Sequence, residues 1–462
     1  MRYIENRTYD ELKVGDCAEI KRTLREQDIE LFAVMSGDIN PAHVDPEYAK
    51  GDRFHKVIAH GMWGGALISA VLGTELPGPG TVYLHQSLNF HTPVGVGDVV
   101  RVRVTVREKR PNGHVILDCL CVNQEGEDVI VGEAEVIAPT VKVRRPGATL
   151  PEVHLHERGE RFRELTERAL RFPPLPTAVV HPCDAASITG AVEAAAQKLI
   201  APVLVGPEAK VRKAAEAAGL DISGFELIDA PHSHAAAAQA AALARDGRVS
   251  AIMKGALHTD EVMGAIVKSD SGLRTERRMS HVFVFDVPHY EKLLLITDAA
   301  INIEPDLDAK KDIVQNAIDL ARACGIPAPK VAILSAVETV YPKIRSTVEA
   351  AALCKMADRG QIKGGVLDGP LAFDNAISRD AAATKGIVSP VAGVADILLA
   401  PDLASGNMVS KQLVYLSGAD GAGLVMGARV PVILTSRADG VLARTTSCAL
   451  AQLAVHAGEA PQ

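Results

Sequence analysis

The sequence predicts two successive domains of different class: an α+β domain over residues 1–140, then an α/β domain of two lobes over 174–462, joined by a linker at 141–173. Three observations predict this. An almost wholly apolar helical segment beginning near residue 60 is followed by runs that alternate apolar and polar with a period of two. Between Pro139 and Pro174 the chain becomes charged and proline-rich. Beyond that stretch, short β-branched runs alternate with alanine-rich helical ones.

The first helical segment is EQDIELFAVMSG, with Ile29, Leu31, Phe32 and Ala33 apolar and a stop expected at Gly37. The second, His60 to Leu76, is apolar almost all the way round. A helix of that kind is expected to be buried on every side. After it, Val100, Val102, Val104 and Val106 alternate with Arg101, Arg103 and Thr105. That is the pattern of a sheet with one wet face. HVILDCLCV and VIVGEAEVIA continue it, with Pro111-Asn112-Gly113 as a turn. One buried helix followed by an antiparallel meander implies a sheet wrapped around that helix.

The linker VKVRRPGATLPEVHLHERGERFRELTERALRFPP ends in a short amphipathic stretch, read as a connecting helix. Then come TAVVHP, APVLVG, VSAIMKG, KLLLITD, KVAILS, ADILLAP and PVILTS, separated by stretches such as SHAAAAQAAALARD. This alternation implies parallel sheets covered by helices. About 290 residues favour two lobes around a cleft over one sheet.

Composition narrows the function classes. The 462 residues are 47% hydrophobic and 23% charged, with 4% aromatics, so the cores rest on Ala, Val, Leu and Ile. The net charge of −8, with basic residues scattered, leaves no footprint for nucleic acid. No apolar run reaches the roughly 20 residues that span a bilayer. The polar start MRYIENRTYDELKVGD lacks a signal-peptide core, and the seven cysteines are dispersed. A cytoplasmic setting is expected, with no membrane partner.

The first chemical constellation is SGDINPAHVD. Pro41 disfavours helix at Asn40, which places Asp38 and His43 on a loop rather than a common helix face. A carboxylate and an imidazole held close can position water and move two protons. Asp-x-Asn-Pro is also a good turn, and taken alone the pair is equally compatible with a structural role. The wider text, FHKVIAHGMWGGALIS and LPGPGTVYLHQSLNFHTPVGVGDVVRV, resembles the MaoC-like (R)-specific enoyl-CoA hydratases over nearly all of residues 10–138. The resemblance implies a hotdog fold and a dimer or larger homo-oligomer. It implies that Asp38 and His43 are the catalytic pair, that Gly61 turns its N–H toward the thioester oxygen, and that Ser69 lies nearby.

The second constellation is PVILTSRADG, a buried strand followed by Thr435-Ser436-Arg437 and an Ala/Leu-rich helix. Ligands bind outside the carboxyl ends of such strands, and Arg grips phosphate in two-pronged fashion. Ser-Arg is equally a helix cap. DILLAPDLASGNMVSKQLVYL, LITDAAINIEPDLDAKKDIVQNAI, LDGPLAFDNAIS and SCALAQLA resemble the phosphate butyryltransferases, related to the phosphate acetyltransferases, over about 175–456. The resemblance implies reversible acyl transfer between coenzyme A and phosphate in a cleft between two α/β lobes. No metal or other cofactor is implied.

Arg437 is then expected to hold phosphate and Ser436 the reacting carbonyl or phosphoryl oxygen. Asn407, Asp298 and Asn302 fall at strand ends where the cleft is expected, although turns and caps account for such residues too. Two positions depart from the acetyl pattern: Ala443 stands where an Asp is expected, and Tyr415 lies where an Arg is. Both lean toward the butyryl branch. Asp439 is a candidate to help ionise the thiol, whose ordinary pKa near ~8.5 calls for only modest assistance. The partners expected are thus acyl-CoA and phosphate. A hydratase joined to a non-catalytic CoA-binding module is the alternative.

Overall fold

The computed structural model describes residues 3–150, 153, 155, 158–434 and 440–458. It divides into two compact units, 1–155 and 156–462.

In the first unit β1 (Tyr3–Glu5), β2 (Cys17–Thr23), α1 (Glu26–Ser36), α2 (Pro41–Val44), α3 (Pro46–Gly51) and α4 (Gly61–Thr74) precede the meander. The meander is β3 (Val82–Phe90), β4 (Val99–Lys109), β5 (His114–Val122) and β6 (Asp128–Ile137), and β7 (Arg144–Pro146) pairs back onto β1. The main sheet runs β2-β4-β5-β6-β3, antiparallel throughout. Val100, Val102, Val104 and Val106 all lie on its inner face. They share a core with Trp63, Ile68, Val71 and Leu72 of α4, which the sheet wraps in the hotdog arrangement.

Helix α4 corrects one expectation. It is buried along Trp63, Gly64, Gly65, Ile68, Val71 and Leu72, but Met62, Ala66, Ser69, Ala70 and Gly73 are exposed. The exposed side is made mainly of small residues, which carry little apolar area each, and the sheet covers only the opposite side. Nearby in sequence the edge strand β3 exposes Val82, Tyr83, Leu84 and Phe90.

The 141–173 stretch holds ordered elements toward both ends: β7, and α5 (Glu160–Ala169), whose Phe162 and Leu165 are buried in the core of the second unit. That unit continues with β8 (Leu175–Val180), α6 (Ala185–Ala196), β9 (Ile200–Gly206), α7 (Glu208–Ala217), β10 (Glu226–Asp229), α8 (Ser233–Arg245), β11 (Ala251–Lys254), α9 (Thr259–Val267), β12 (Ser280–Asp286) and β13 (Leu294–Thr297). Then follow α10 (Leu307–Ala323), β14 (Lys330–Leu334), α11 (Arg345–Asp358), β15 (Val366–Leu371), α12 (Phe373–Ile377), α13 (Arg379–Thr384), β16 (Ile397–Leu399), α14 (Leu403–Ser417), β17 (Asp420–Met426), β18 (Val432–Ile433) and α15 (Val441–Val455).

Every strand expected from the β-branched runs is present. Where two lobes were expected in place of one sheet, the strands of the second unit form a single sheet of eleven, ordered β10-β9-β8-β11-β18-β17-β12-β13-β16-β14-β15. It is not wholly parallel: β12 runs antiparallel to β13 and β17, and β17 antiparallel to β18. A seven-residue link from β12 to β13 is too short for a helical crossover, so the chain must turn back on itself. Among the described residues no helix is long and apolar enough to cross a membrane.

Candidate active sites

In the first unit the chain leaves α1 at Gly37, whose φ of 75° closes the helix in the left-handed region. Asp38 follows on the loop, as expected. His43 does not: it lies in the one-turn helix α2, with Pro41 at the first position and Asn40 as cap. Proline disfavours the helical region at the residue before it, yet its own fixed φ suits a helix start. The Asn40 side chain completes the turn by accepting from Ala42 N at 3.2 Å.

The Asp38 carboxylate accepts from Asn40 N at 3.2 Å. His43 Nδ1 lies 2.9 Å from the carbonyl oxygen of Ile58. A carbonyl only accepts, so Nδ1 carries the proton and Nε2 of neutral His43 is left bare. The surprise is His60, which the sequence reading passed over. It is the residue before α4 and buried, with its ring 4.1 Å from that of His43. Its Nε2 donates to the backbone oxygen of Asp38 at 2.9 Å, while its buried Nδ1 has no partner among the described residues. One ligand-type atom from each of Asp38, His43 and His60 lies within 4.8 Å of the others. The signal was the His-Gly-Met text itself, read only for its glycine.

Gly61 is the first residue of α4, where backbone N–H groups have no partner within the helix. A Cβ there would meet the Phe90 ring at 3.1 Å. A cavity of about 250 Å³ opens at this point, lined by His43, His60, Gly61, Trp63, Phe90 and others. The structure therefore brings together Asp38, His43 and Gly61. Ser69 is not brought to them: it lies two turns along α4 on the exposed side, outside that cavity.

In the second unit Ser436, Arg437 and Asp439 lie outside the described residues. Around the carboxyl ends of the strands, the other expected residues form one lock. Asp298, buried beyond β13, accepts from Ala300 N at 2.9 Å, Ile301 N at 3.1 Å, Asn302 N at 3.1 Å and Asn302 Nδ2 at 2.6 Å. Asn302 Nδ2 also reaches Met279 O at 2.9 Å, and Asn407 Nδ2 donates to Ala299 O at 3.1 Å. Gly406 is needed here, because a Cβ would stand 2.5 Å from Asp298 O. Among the described residues, the hydrogen bonds of these three side chains hold backbone or one another. Ala443 lies in the first turn of α15, and Tyr415 is exposed on α14.

His281 on β12 was also missed. Its ring hydrogen-bonds the Leu434 backbone, and its buried Nδ1 has no partner among the described residues. Gly423 leaves it room, since a Cβ would be 2.5 Å from the ring. Burial pushes its pKa down to about 4, against the opposing pull of Asp298 and the Leu434 bond. Nothing in a buried β-strand pattern distinguishes a histidine beneath a site from any other core residue.

Residues 232–451 match the family described as Phosphate acetyl/butaryl transferase, and residues 14–117 match the MaoC like domain. The phosphate acetyltransferase of Rhizobium meliloti is 61% identical over 293 residues, 63% of this chain and 93% of that protein. A branched-chain phosphotransacylase from Enterococcus faecalis V583 is 28% identical, with a TM-score of 0.54, over 61% of this chain and 99% of that one. The R-hydratase PhaJ1 from Pseudomonas aeruginosa is 45% identical over 34% of this chain and 100% of that one, with a TM-score of 0.33. The lean toward the butyryl branch is not echoed by the 61%-identical relative, whose name is the acetyl one. The chain belongs to the phosphate acetyl/butaryl transferase family, with a MaoC-like domain fused ahead of the transferase domain.

Proposed function

We propose that the chain is a bifunctional coenzyme A enzyme. The first unit hydrates short trans-2-enoyl-CoA reversibly to (R)-3-hydroxyacyl-CoA. The second exchanges a short acyl group between CoA and phosphate, with the acetyl or butyryl group as candidates. The closeness of Asp38 to His43, and the cavity that His43 shares with the first turn of α4, support the hydratase reading. Identity of 61% over nearly the whole of a phosphate acetyltransferase supports the transferase reading.

In the hydration direction, bare Nε2 of His43 takes a proton from a water oriented by the Asp38 carboxylate. The water oxygen bonds to C3, and the alkene electron pair moves toward the thioester oxygen. The Gly61 N–H meets the enolate charge that develops there. The Asp38/His43 pair then returns a proton to C2, so that one water is added in all. His60 ties the Asp38 backbone in place. No metal or other cofactor enters this scheme. In the transferase, phosphate is to be held by Arg437 while Ser436 serves the reacting oxygen.

A homodimer or larger assembly is part of the proposal. The apolar edge strand β3 and the small-residue side of α4 are the surfaces that a second copy would cover.

Two assays test the whole. Crotonyl-CoA hydration should disappear with Asp38→Ala or His43→Ala and survive Ser436→Ala. Phosphate-dependent CoA release from acetyl- and butyryl-CoA should behave the opposite way. A protein that hydrates but releases no CoA with any short acyl-CoA would reduce the second unit to a binding module.

A further inference from the structure

The second unit has another concave site, at the edge of the sheet opposite the strand ends where Asp298 and Leu434 lie. A cavity of about 730 Å³ is enclosed by the carboxyl ends of α5, α10 and α15. Cavities of this size hold small-molecule ligands. Its lining includes Arg168, Arg171, Arg322 and His456, with Phe172 and Asp319.

The charges do not balance locally. Asp319 is the sole carboxylate among these lining residues, and it is taken by Arg277 and by Gln315 Nε2. Arg168 is spent on the last carbonyls of α10, Cys324 O and Ala323 O. Those uncompensated carbonyls attract cations, which gives a sufficient reason for Arg168. The same effect favours cations near the ends of α5 and α10, but it does not make Arg171 and Arg322 line one cavity. Neither has a carboxylate partner among the described residues. Like charges gathered without a counterion repel, and an anion between them removes that repulsion. The Phe172 and His456 rings stack at 4.6 Å with 3° between their planes, forming an aromatic wall.

We propose that this cavity binds a di- or triphosphate group, of a nucleoside polyphosphate or of inorganic pyrophosphate. Guanidinium pairs suit this chemistry because each can grip two phosphate oxygens at once. The site is separate from the acyl-transfer cleft, and nothing in it rests on the hydratase reading.

Titration calorimetry on the full chain, with the cavity variants separating this site from the cleft, is the test. Pyrophosphate and ATP are the two probes. Saturable binding is expected, weakened at least about tenfold in Arg171→Ala/Arg322→Ala, with phosphate-dependent CoA release unchanged. Tighter binding of ATP would identify a nucleoside ligand, and equal binding would show that the phosphates alone suffice. Should the double variant melt early, Arg171→Ala alone serves, since that side chain is exposed and unpaired among the described residues. Absence of saturable binding by either probe, or binding that the variants leave unaltered, overturns the proposal.

Discussion

Replacing His43 by asparagine separates its two ring nitrogens. The amide nitrogen of Asn falls close to the place of Nδ1, so the bond to Ile58 O, 2.9 Å in the wild type, has a replacement donor. Nothing replaces Nε2, the nitrogen that faces water in the proposed mechanism. Removing a general base costs about 10²–10⁴ in rate, a barrier increase of roughly 3–5 kcal/mol. His43→Asn should therefore lose kcat for crotonyl-CoA hydration by that factor while its melting temperature barely moves. His43→Ala should lose as much activity and also the hydrogen bond, worth about 1 kcal/mol of stability. The assay is absorbance loss of the conjugated thioester at saturating substrate, beside thermal unfolding of both variants. Transferase activity of the same preparations is the internal control. If His43→Asn hydrates within about tenfold of wild type, the tautomer reasoning is wrong and Nε2 is not the base.

Gly61→Ala should impair hydration without unfolding the chain. Its Cβ would press on Phe90 at 3.1 Å, a crowding worth about 1 kcal/mol or more, and KM and kcat together would report it. Asp298→Ala should destabilise the second unit by about 3 kcal/mol or more, measured by urea unfolding, because three backbone N–H groups and one amide lose their acceptor. Acid should act through His281. Its folded pKa of about 4 lies below its unfolded value of about 6.5, so the unfolded chain takes up the proton first. Stability from this group is full above pH ~6.5 and falls toward pH ~4, by roughly 3 kcal/mol in all. His281→Gln should flatten that part of the pH–stability curve, and a curve unchanged by the substitution would refute the assignment.

The hotdog sheet was legible in the sequence because one face of β4 is wet. Val100 to Val106 alternate with arginines and a threonine, and a period of two can be read without knowing the partner strands. The second unit was legible where strands are fully buried and β-branched, as at KVAILS and ADILLAP. Its antiparallel strands β12 and β17 were not, since strand direction is fixed by pairing partners more than 100 residues apart in the chain. Likewise a glycine-rich strand such as DGAGLVM carries little β signal of its own.

The same division holds at the sites. Sequence by itself determined that Asp38 and His43 are close, because five residues and a proline allow little else. It also placed Gly61 at a helix start and Ser436-Arg437 after a buried strand. Only the tertiary structure decided that His60 packs on His43, with 16 residues of chain between them. Only it decided that Ser69 faces outward, and that Asp298, Asn302 and Asn407 lock one loop together. Contacts across such separations follow from how helices and sheets pack. A residue's type says what it can do, but its neighbours are chosen by the burial of everything around it.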